Sequence, residues 1–385
     1  MRMRLLVDSK EFWGILREDI LSAQQSIYIQ TFSFEGDKAG NSLAEALLSS
    51  PAVDKRIIVD DYTKWVISDK YLYSPRNLFN FELRQEVRET YRMIDGLEHN
   101  GIKVQFTHPA NLLEKFAVHN HKKVVLIDQR IAYIGGINFS EHNFEWHDAM
   151  LRIEDAAIAE ALDADFQSTW AGEKTEISQN SGEMDLYCLG GISNHELFGR
   201  ILAMIEGAKE RIYVESPYIT FPFLDSIAKA AQRGCSVTLI TPGPNNYPIL
   251  REYLLWISAR SGIDVRLYHR MSHLKGMLID QRYLILGSSN YDYLSYQFHQ
   301  EIVAIITNPG LISEYTARVF QEDIRNSEPG YKISPIKGSL INLGMRTSAK
   351  MLALLVHPRS NARAAALNTL SPANGTQTVL PKSRQ

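Results

Sequence analysis

The chain has 385 residues, 45% hydrophobic and 22% charged, which is long and apolar enough for two domains or one large two-lobed body. A formal charge of −3 supplies no global basic field, which counts against a general polyanion binder but leaves room for a local patch. Two isolated cysteines, Cys188 and Cys235, have no CxxC or CxxH setting, so no disulfide framework or zinc site is readable and both are expected to be buried small hydrophobes.

At the N-terminus, Leu5-Leu6-Val7 before Asp8 is too short for the core of a signal peptide, and no run approaches the ~18 apolar residues that span a bilayer. Work on membranes would be done from their surface. The stretch "LSAQQSIYIQTFSF" (21–34) reads as a helix end running into a buried strand, "GNSLAEALLSS" (40–50) as a helix and "KRIIVDD" (55–61) as a strand. Residues 62–99 form an insertion in which Trp65, Tyr71, Tyr73, Phe79 and Phe81 alternate with basic residues. It reads as a helix with its own apolar face, the alternative being the lining of a substrate entrance.

After the strand "NGIKVQF" (100–106) comes "VHNHKKVVLIDQRIAYIGGIN" (118–138), where a histidine and a lysine sit two apart on an apolar strand. Buried polar groups are costly unless compensated, so this pair asks for a reason. Asp-Gln-Arg reads as the turn of a hairpin that brings Asn138 back beside the histidine. Asp148 follows in the strand-like run "EWHDAMLRIE".

Residues 172–190, polar and strand-poor, read as a linker, and beyond them the first lobe repeats. "IEGAKERIYVESPYI" (205–219) answers 21–34, "CSVTLITPG" (235–243) answers 55–61, and "SGIDVRLY" (261–268) answers 100–106. "HLKGMLIDQRYLILGSSN" (273–290) aligns without a gap on 121–138 at a constant offset of 152 residues. The predicted fold is α/β: two pseudo-twofold-related lobes, 1–172 and 191–328, with mixed β-sheets and the active site at the lobe interface.

Strand alternation projects His121 with Lys123, and His273 with Lys275, from one face. Brought together, two imidazoles, two ammonium groups and the amides of Asn138 and Asn290 suit a phosphodiester. One imidazole can attack phosphorus while the other protonates the departing oxygen, and the lysines take the place of divalent ions, so neither metal nor cofactor is required. Gly136 and Ser288, with Gly135 and Gly287, leave room for a close approach to the backbone and are expected at the substrate. Asp128 and Asp280 belong to the same candidate catalytic set, although their strand parity is opposite and points them at the turn. Each histidine also needs an orienting group on its second ring nitrogen. Asp148 and Glu301 lie 27 and 28 residues after His121 and His273, so this placement repeats as well.

At these residues the sequence resembles the phospholipase D superfamily, whose HxKxxxxD signature followed by G-G/S-x-N occurs in two copies. Within it, "HNHKKVVLIDQRIAYIGGINFSEH", "DAMLRIED" and "IYIQTFSFEGDKAGNSLAEALL" look like bacterial cardiolipin synthases lacking transmembrane helices. The resemblance implies phosphatidyl transfer between phosphatidylglycerol molecules at the cytoplasmic face of the membrane, with His121 as nucleophile and His273 as general acid, then base. The second copy departs from those synthases: Tyr293 stands near an expected arginine, and Gln300 precedes Glu301 in place of asparagine. Hydrolysis to phosphatidic acid, phosphodiester cleavage of nucleic acid, and a non-catalytic lipid-binding role stay open as alternatives, the neutral-to-acidic body counting against nucleic acid. From Gly330 onward there is no Asp or Glu, while Lys332, Lys337, Arg346 and Lys350 precede or enter the apolar run "KMLALLV" (350–356). This segment, 329–385, suits either a surface helix on an anionic membrane or a helix packed on the body with a disordered tail.

Overall fold

The computed structural model describes residues 1–107 and 117–356. The first lobe contains β1 (Arg2–Val7), β2 (Ser26–Thr31), β3 (Asp54–Val59), a small hairpin of β4 (Val66–Ile67) and β5 (Lys70–Tyr71), β6 (Lys103–Phe106), β7 (Val124–Ile127), β8 (Ile131–Gly135) and β9 (Ala149–Glu154). The second contains β10 (Ile177–Asn180), β11 (Met184–Leu189), β12 (Arg211–Glu215), β13 (Ser236–Pro242), β14 (Asp264–Tyr268), β15 (Gly276–Ile279), β16 (Tyr283–Gly287), β17 (Glu301–Ile306) and β18 (Ser327–Pro329).

The sheet orders are β1-β9-β8-β7-β2-β3-β6 and β10-β11-β17-β16-β15-β12-β13-β14-β18. Apart from the edge strands β10 and β18, the second order is the first repeated. In each lobe three strands run parallel, β2-β3-β6 and β12-β13-β14, while the motif hairpin pairs antiparallel beside them. The strands "SIYIQT", "VVLI" and "IAYIG" are buried throughout, because apolar layers cover both faces of the sheet. One hydrophobic cluster draws on both sheets and on the helices between them, with Leu126, Leu162, Leu278 and Tyr315 among its members. The helices Asp8–Ser22 and Lys38–Ser49 cover the outside of the first lobe, and Asn194–Gly207 and Phe223–Gln232 that of the second.

Two boundaries differ from the sequence reading. Residues 172–190 are not a plain linker, since β10 and β11 lie inside them and β11 pairs with β17. β10 reads as polar because it is an edge strand, exposed on alternate residues. The insertion is also shorter than 62–99: the helix Phe81–His99 occupies the same place between β3 and β6 as Pro248–Ser258 does between β13 and β14. What is added is the stretch from the 3-10 turn Asp61–Lys64 through the β4-β5 hairpin. Residues 357–385 of the basic segment lie outside the described residues.

The motif aspartates hold the hairpin turns. Asp128 and Gln129, like Asp280 and Gln281, have φ near +50°, a left-handed conformation unfavourable for residues other than glycine. Asp128 compensates by accepting the backbone N–H groups of Gln24, Gln25 and Ser26, and Asp280 those of Lys209, Glu210 and Arg211. These bonds hold both carboxyls below the usual carboxylate range, against the opposing effect of burial. They tie each hairpin to the start of β2 or β12. Their grouping with the catalytic residues is corrected: they brace the hairpin and are absent from the cavity wall.

Candidate active site

A cavity of about 330 Å³ opens between the lobes, and His121, His273, Asn138 and Asn290 line it. Two single parallel β-bridges across the lobe interface set its geometry, Asn120 with Gln300 and His147 with Ser272. Their backbone bonds run from His121 N–H to the Gln300 carbonyl (2.9 Å) and from His273 N–H to the His147 carbonyl (2.7 Å). Each bridge places the next residue of one lobe beside the next residue of the other.

The consequence is a crossed pairing. His121 Nδ1 lies 3.2 Å from both carboxylate oxygens of Glu301, and His273 Nδ1 lies 2.9 Å from Asp148 Oδ2. The 27- and 28-residue spacings point to partners within a lobe; the structure takes each partner from the opposite lobe. With Nδ1 committed to a carboxylate, Nε2 is the reactive nitrogen of each ring.

Gly136 and Ser288 sit behind these carboxylates and not at the substrate, which corrects their expected role. A Cβ at Gly136 would collide with the Asp148 carboxylate. Ser288 fills the same place in the second lobe and donates its hydroxyl to Glu301 Oε2, while Ser295 donates to Oε1 at 2.8 Å. What approaches the backbone closely at this element is the orienting acid itself.

Lys123 and Lys275 are buried and do not line the cavity. Each ammonium donates to the backbone carbonyl of its own motif histidine. Burial pushes both lysines down, Lys275 to about 8, and Lys275 adds to the effect on Lys123. The lysines therefore act from behind the imidazoles as buried positive charge. Burial and these ammonium groups also push both histidines well below 6.5. An anion in the cavity would offset that charge and favour a protonated imidazole.

The two orienting acids differ. Burial would raise the Glu301 carboxyl, but the His121 imidazole and its hydrogen bond hold it well below the usual range. Burial raises Asp148 to about 6 despite Lys275 and its bond from Ala149 N–H. Asn138 Nδ2 donates to Asn143 Oδ1 at 3.2 Å, and the side-chain oxygens of Asn138 and Asn290 are buried without a protein partner. Both residues line the cavity, and the capacity left unused is that of two acceptors.

Several wall residues escaped the sequence reading. His119 reaches Asp60 Oδ1 at 3.2 Å through Nδ1, and its ring lies 5.3 Å from that of His299. Both ring nitrogens of His299 are buried without a hydrogen bond. Strand parity could have found them, since each stands two residues before a predicted site residue, His121 or Glu301. Phe32, Trp146 and Tyr218 pack on the two motif imidazoles, with centroids 5.1 to 6.4 Å away. Among the described residues, two clusters have donor atoms close enough for a metal, His121-His299-Glu301 and His147-Glu215-Asp323. In them both Glu301 oxygens and both His147 nitrogens already hold protein partners.

Residues 16–170 and 201–324 match the family described as "Cardiolipin synthase, PLD-like domain". The chain belongs to this family. Cardiolipin synthase B of Salmonella typhi is 26% identical over 368 residues, covering 87% of this chain and 81% of that protein. Cardiolipin synthase B of Escherichia coli K12 is 25% identical over 337 residues, covering 79% and 76%. Among solved structures, phosphatidylserine synthase of Haemophilus influenzae has a TM-score of 0.65 at 18% identity, covering 91% of this chain and 94% of that one. Polyphosphate kinase of Porphyromonas gingivalis reaches 0.58 at 14% identity, over 91% and 56%. Membership makes the chain a phospholipase D-type enzyme of the cardiolipin synthase-like kind, a phospholipid phosphatidyltransferase. No described helix is long and apolar enough to cross a membrane.

Proposed function

We propose that the enzyme transfers a phosphatidyl group from one phosphatidylglycerol to the headgroup hydroxyl of a second, making cardiolipin through a phosphohistidine at His121. The observation that carries this reading is the crossed site: two imidazoles from two lobes line one cavity, each oriented through Nδ1 by a buried acid. The cardiolipin synthases among its relatives support the choice of lipid.

In the first step the Nε2 lone pair of His121 forms the N–P bond. The P–O bond to the departing glycerol breaks, and His273 gives that oxygen its proton. In the second step His273 takes the proton of the incoming hydroxyl, whose oxygen attacks phosphorus as the N–P bond breaks. Glu301, ionised and bonded to three donors, keeps His121 in the tautomer with a free Nε2. Asp148 stands behind the proton-transferring His273. Lys123 and Lys275, held behind the histidines, supply their positive field at a distance, without direct contact to the phosphoryl oxygens.

The test is incubation of the full chain with phosphatidylglycerol vesicles and mass spectrometry of the products. Cardiolipin is expected, and His121→Ala and His273→Ala should each lower turnover at least ~10³-fold. Phosphatidic acid alone would replace the reading by hydrolysis, cleavage of added nucleic acid by a nuclease reading, and persistent turnover in either variant would remove the mechanism.

A further inference from the structure

The helix Pro335–Val356 is apolar on two sides. Its inner side is satisfied by the body: Ile341 and Met345 pack on the second-lobe core, and Gly338 lies so close to Trp256 that a Cβ would collide with the indole. Lys337 reaches Glu252 at 2.7 Å, and Arg346 reaches Asp225 at 2.8 Å. On the outer side Ile336, Leu340, Leu343, Met351, Leu354 and Leu355 are 56% to 75% exposed. Their three- and four-residue spacings put them on one stripe, continued through Thr347, along a helix ~33 Å long. A solvated helix would carry polar residues there.

Charge and position indicate what covers the stripe. Between Gly330 and Val356 there is no acidic residue, and the exposed Lys332 and Lys350 stand near its two ends. Two copies packed stripe to stripe would bring like charges together with no acid on either helix to pair them. An anionic lipid surface meets both the apolar stripe and the cations. The stripe is also joined to the cavity. Tyr247 and Leu250, at the start of the helix Pro248–Ser258, line the cavity, and the same helix supplies the Glu252 and Trp256 that hold the C-terminal helix. Between them Ile249 is 54% exposed.

We propose that the outward stripe of the Pro335–Val356 helix, continued by Ile249 and Tyr247, seats on an anionic phospholipid bilayer and presents the cavity mouth to its lipids. The choice of lipid as partner rests on the phosphatidyl-transfer reading, whereas the seating is measured without turnover. The helix lies on the surface and does not cross it.

The test is sedimentation of the full chain with vesicles of phosphatidylglycerol and, separately, of phosphatidylcholine. Wild type should sediment preferentially with the anionic vesicles. The variant Leu340→Asn/Leu343→Asn/Leu354→Asn should lose at least about tenfold in that affinity, and Lys332→Gln/Lys350→Gln should weaken it by roughly 30-fold at low salt and by less as salt rises. Circular dichroism checks folding, and if the triple variant does not fold, Leu343→Asn alone should show a graded loss. On a short-chain, monomerically soluble phosphatidylglycerol the triple variant should turn over as wild type does, while turnover on vesicles falls. Unchanged vesicle binding in the variants, no binding by wild type, or a wild-type dimer that the triple variant makes monomeric by light scattering would each overturn the proposal. Binding as expected with no turnover by wild type on either substrate would leave the docking face standing and remove the catalytic reading instead.

Discussion

Matched strand by strand, the His121 and His273 halves share a backbone and differ in their charges. Asn120 corresponds to Ser272, Gln30 to Glu215 and Asp165 to Asp323, and each half buries a polar network under its histidine. In the first, Asn120 Nδ2 donates to Gln30, Gln30 Nε2 donates to Asp165, and Lys122 neutralises Asp165 at 2.6 Å. In the second, Ser272 donates to Glu215, and Asp323 is met at 3.0 Å by His147, which comes from the first lobe and also holds Asp8. Leu274 stands where Lys122 would be. The orienting acids diverge in the same way, Glu301 backed by two serine hydroxyls and Asp148 by a glycine. A shared backbone brings each acid to the opposite histidine, and the unlike surroundings support the proposed division into a nucleophile and a proton carrier.

The sharpest way to break this division of labour is to neutralise the two acids separately. Glu301→Gln should lower the rate of His121 phosphorylation by about 10²-fold or more, even with a p-nitrophenyl leaving group that needs no acid. Asp148→Asn should spare that labelling and lower turnover of the natural lipid by a similar factor. Because the Asp148 carboxyl is pushed up to about 6, wild-type turnover should rise with pH as it ionises through that value, and Asp148→Asn should flatten the limb. Quench-flow labelling with mass detection checks both. Equal loss of labelling in the two variants would erase the assignment of roles.

Why the crossing escaped the sequence is instructive. The repeat was legible because the motif hairpins carry the same residue types in the same order, and strand parity then placed His121 with Lys123 and His273 with Lys275. Each acid, however, is positioned by a single bridge between lobes, and a pairing one residue long leaves no periodic trace. Nearly equal spacings within a lobe, 27 and 28 residues, therefore suggested the wrong partner. Parity also said nothing of depth: the lysines share a face with the histidines yet fold back onto their carbonyls. β10 was hidden by edge-strand polarity, and the aromatic stretch before Phe81–His99 made that helix read as part of an insertion when it is the counterpart of Pro248–Ser258.

A second prediction sharpens the contrast between Lys122 and His147. Lys122→Leu copies the second lobe's Leu274 but leaves Asp165 buried without its counter-ion, and should cost about 3 kcal/mol in urea unfolding. His147 opposes the cost of burial through its bonds to Asp323 and Asp8, which raise its pKa well above 6.5. A raised folded-state pKa stabilises fully below the unfolded value near 6.5 and loses that contribution as pH climbs toward the folded value. His147→Gln should therefore destabilise more at pH 6 than at pH 8. A cost independent of pH would show that this imidazole is not a cation in the folded protein.

The contrast furthest from the reacting histidines lies at Glu35, whose counterpart is Thr220: the matching bridges are Phe34 with Phe139 and Ile219 with Tyr291. Thr220 accepts the N–H of Tyr293, whereas Glu35 is a buried acid on the cavity wall near Asp37, Asp69 and Glu86. Burial, reinforced by those acids and only partly opposed by the Ser68 N–H, pushes it up to about 8. Here too the folded pKa exceeds the unfolded one, so stability is lost as pH rises from 4.5 and the loss levels off near pH 8. Glu35→Gln keeps the shape and removes the titration. It should match wild type below about pH 4.5 and exceed it by a margin that grows as pH rises toward 8. Paired thermal melts across that range decide the matter, since a constant gap would mean that Glu35 is already ionised in the folded protein and that the cavity wall carries a negative charge at neutral pH.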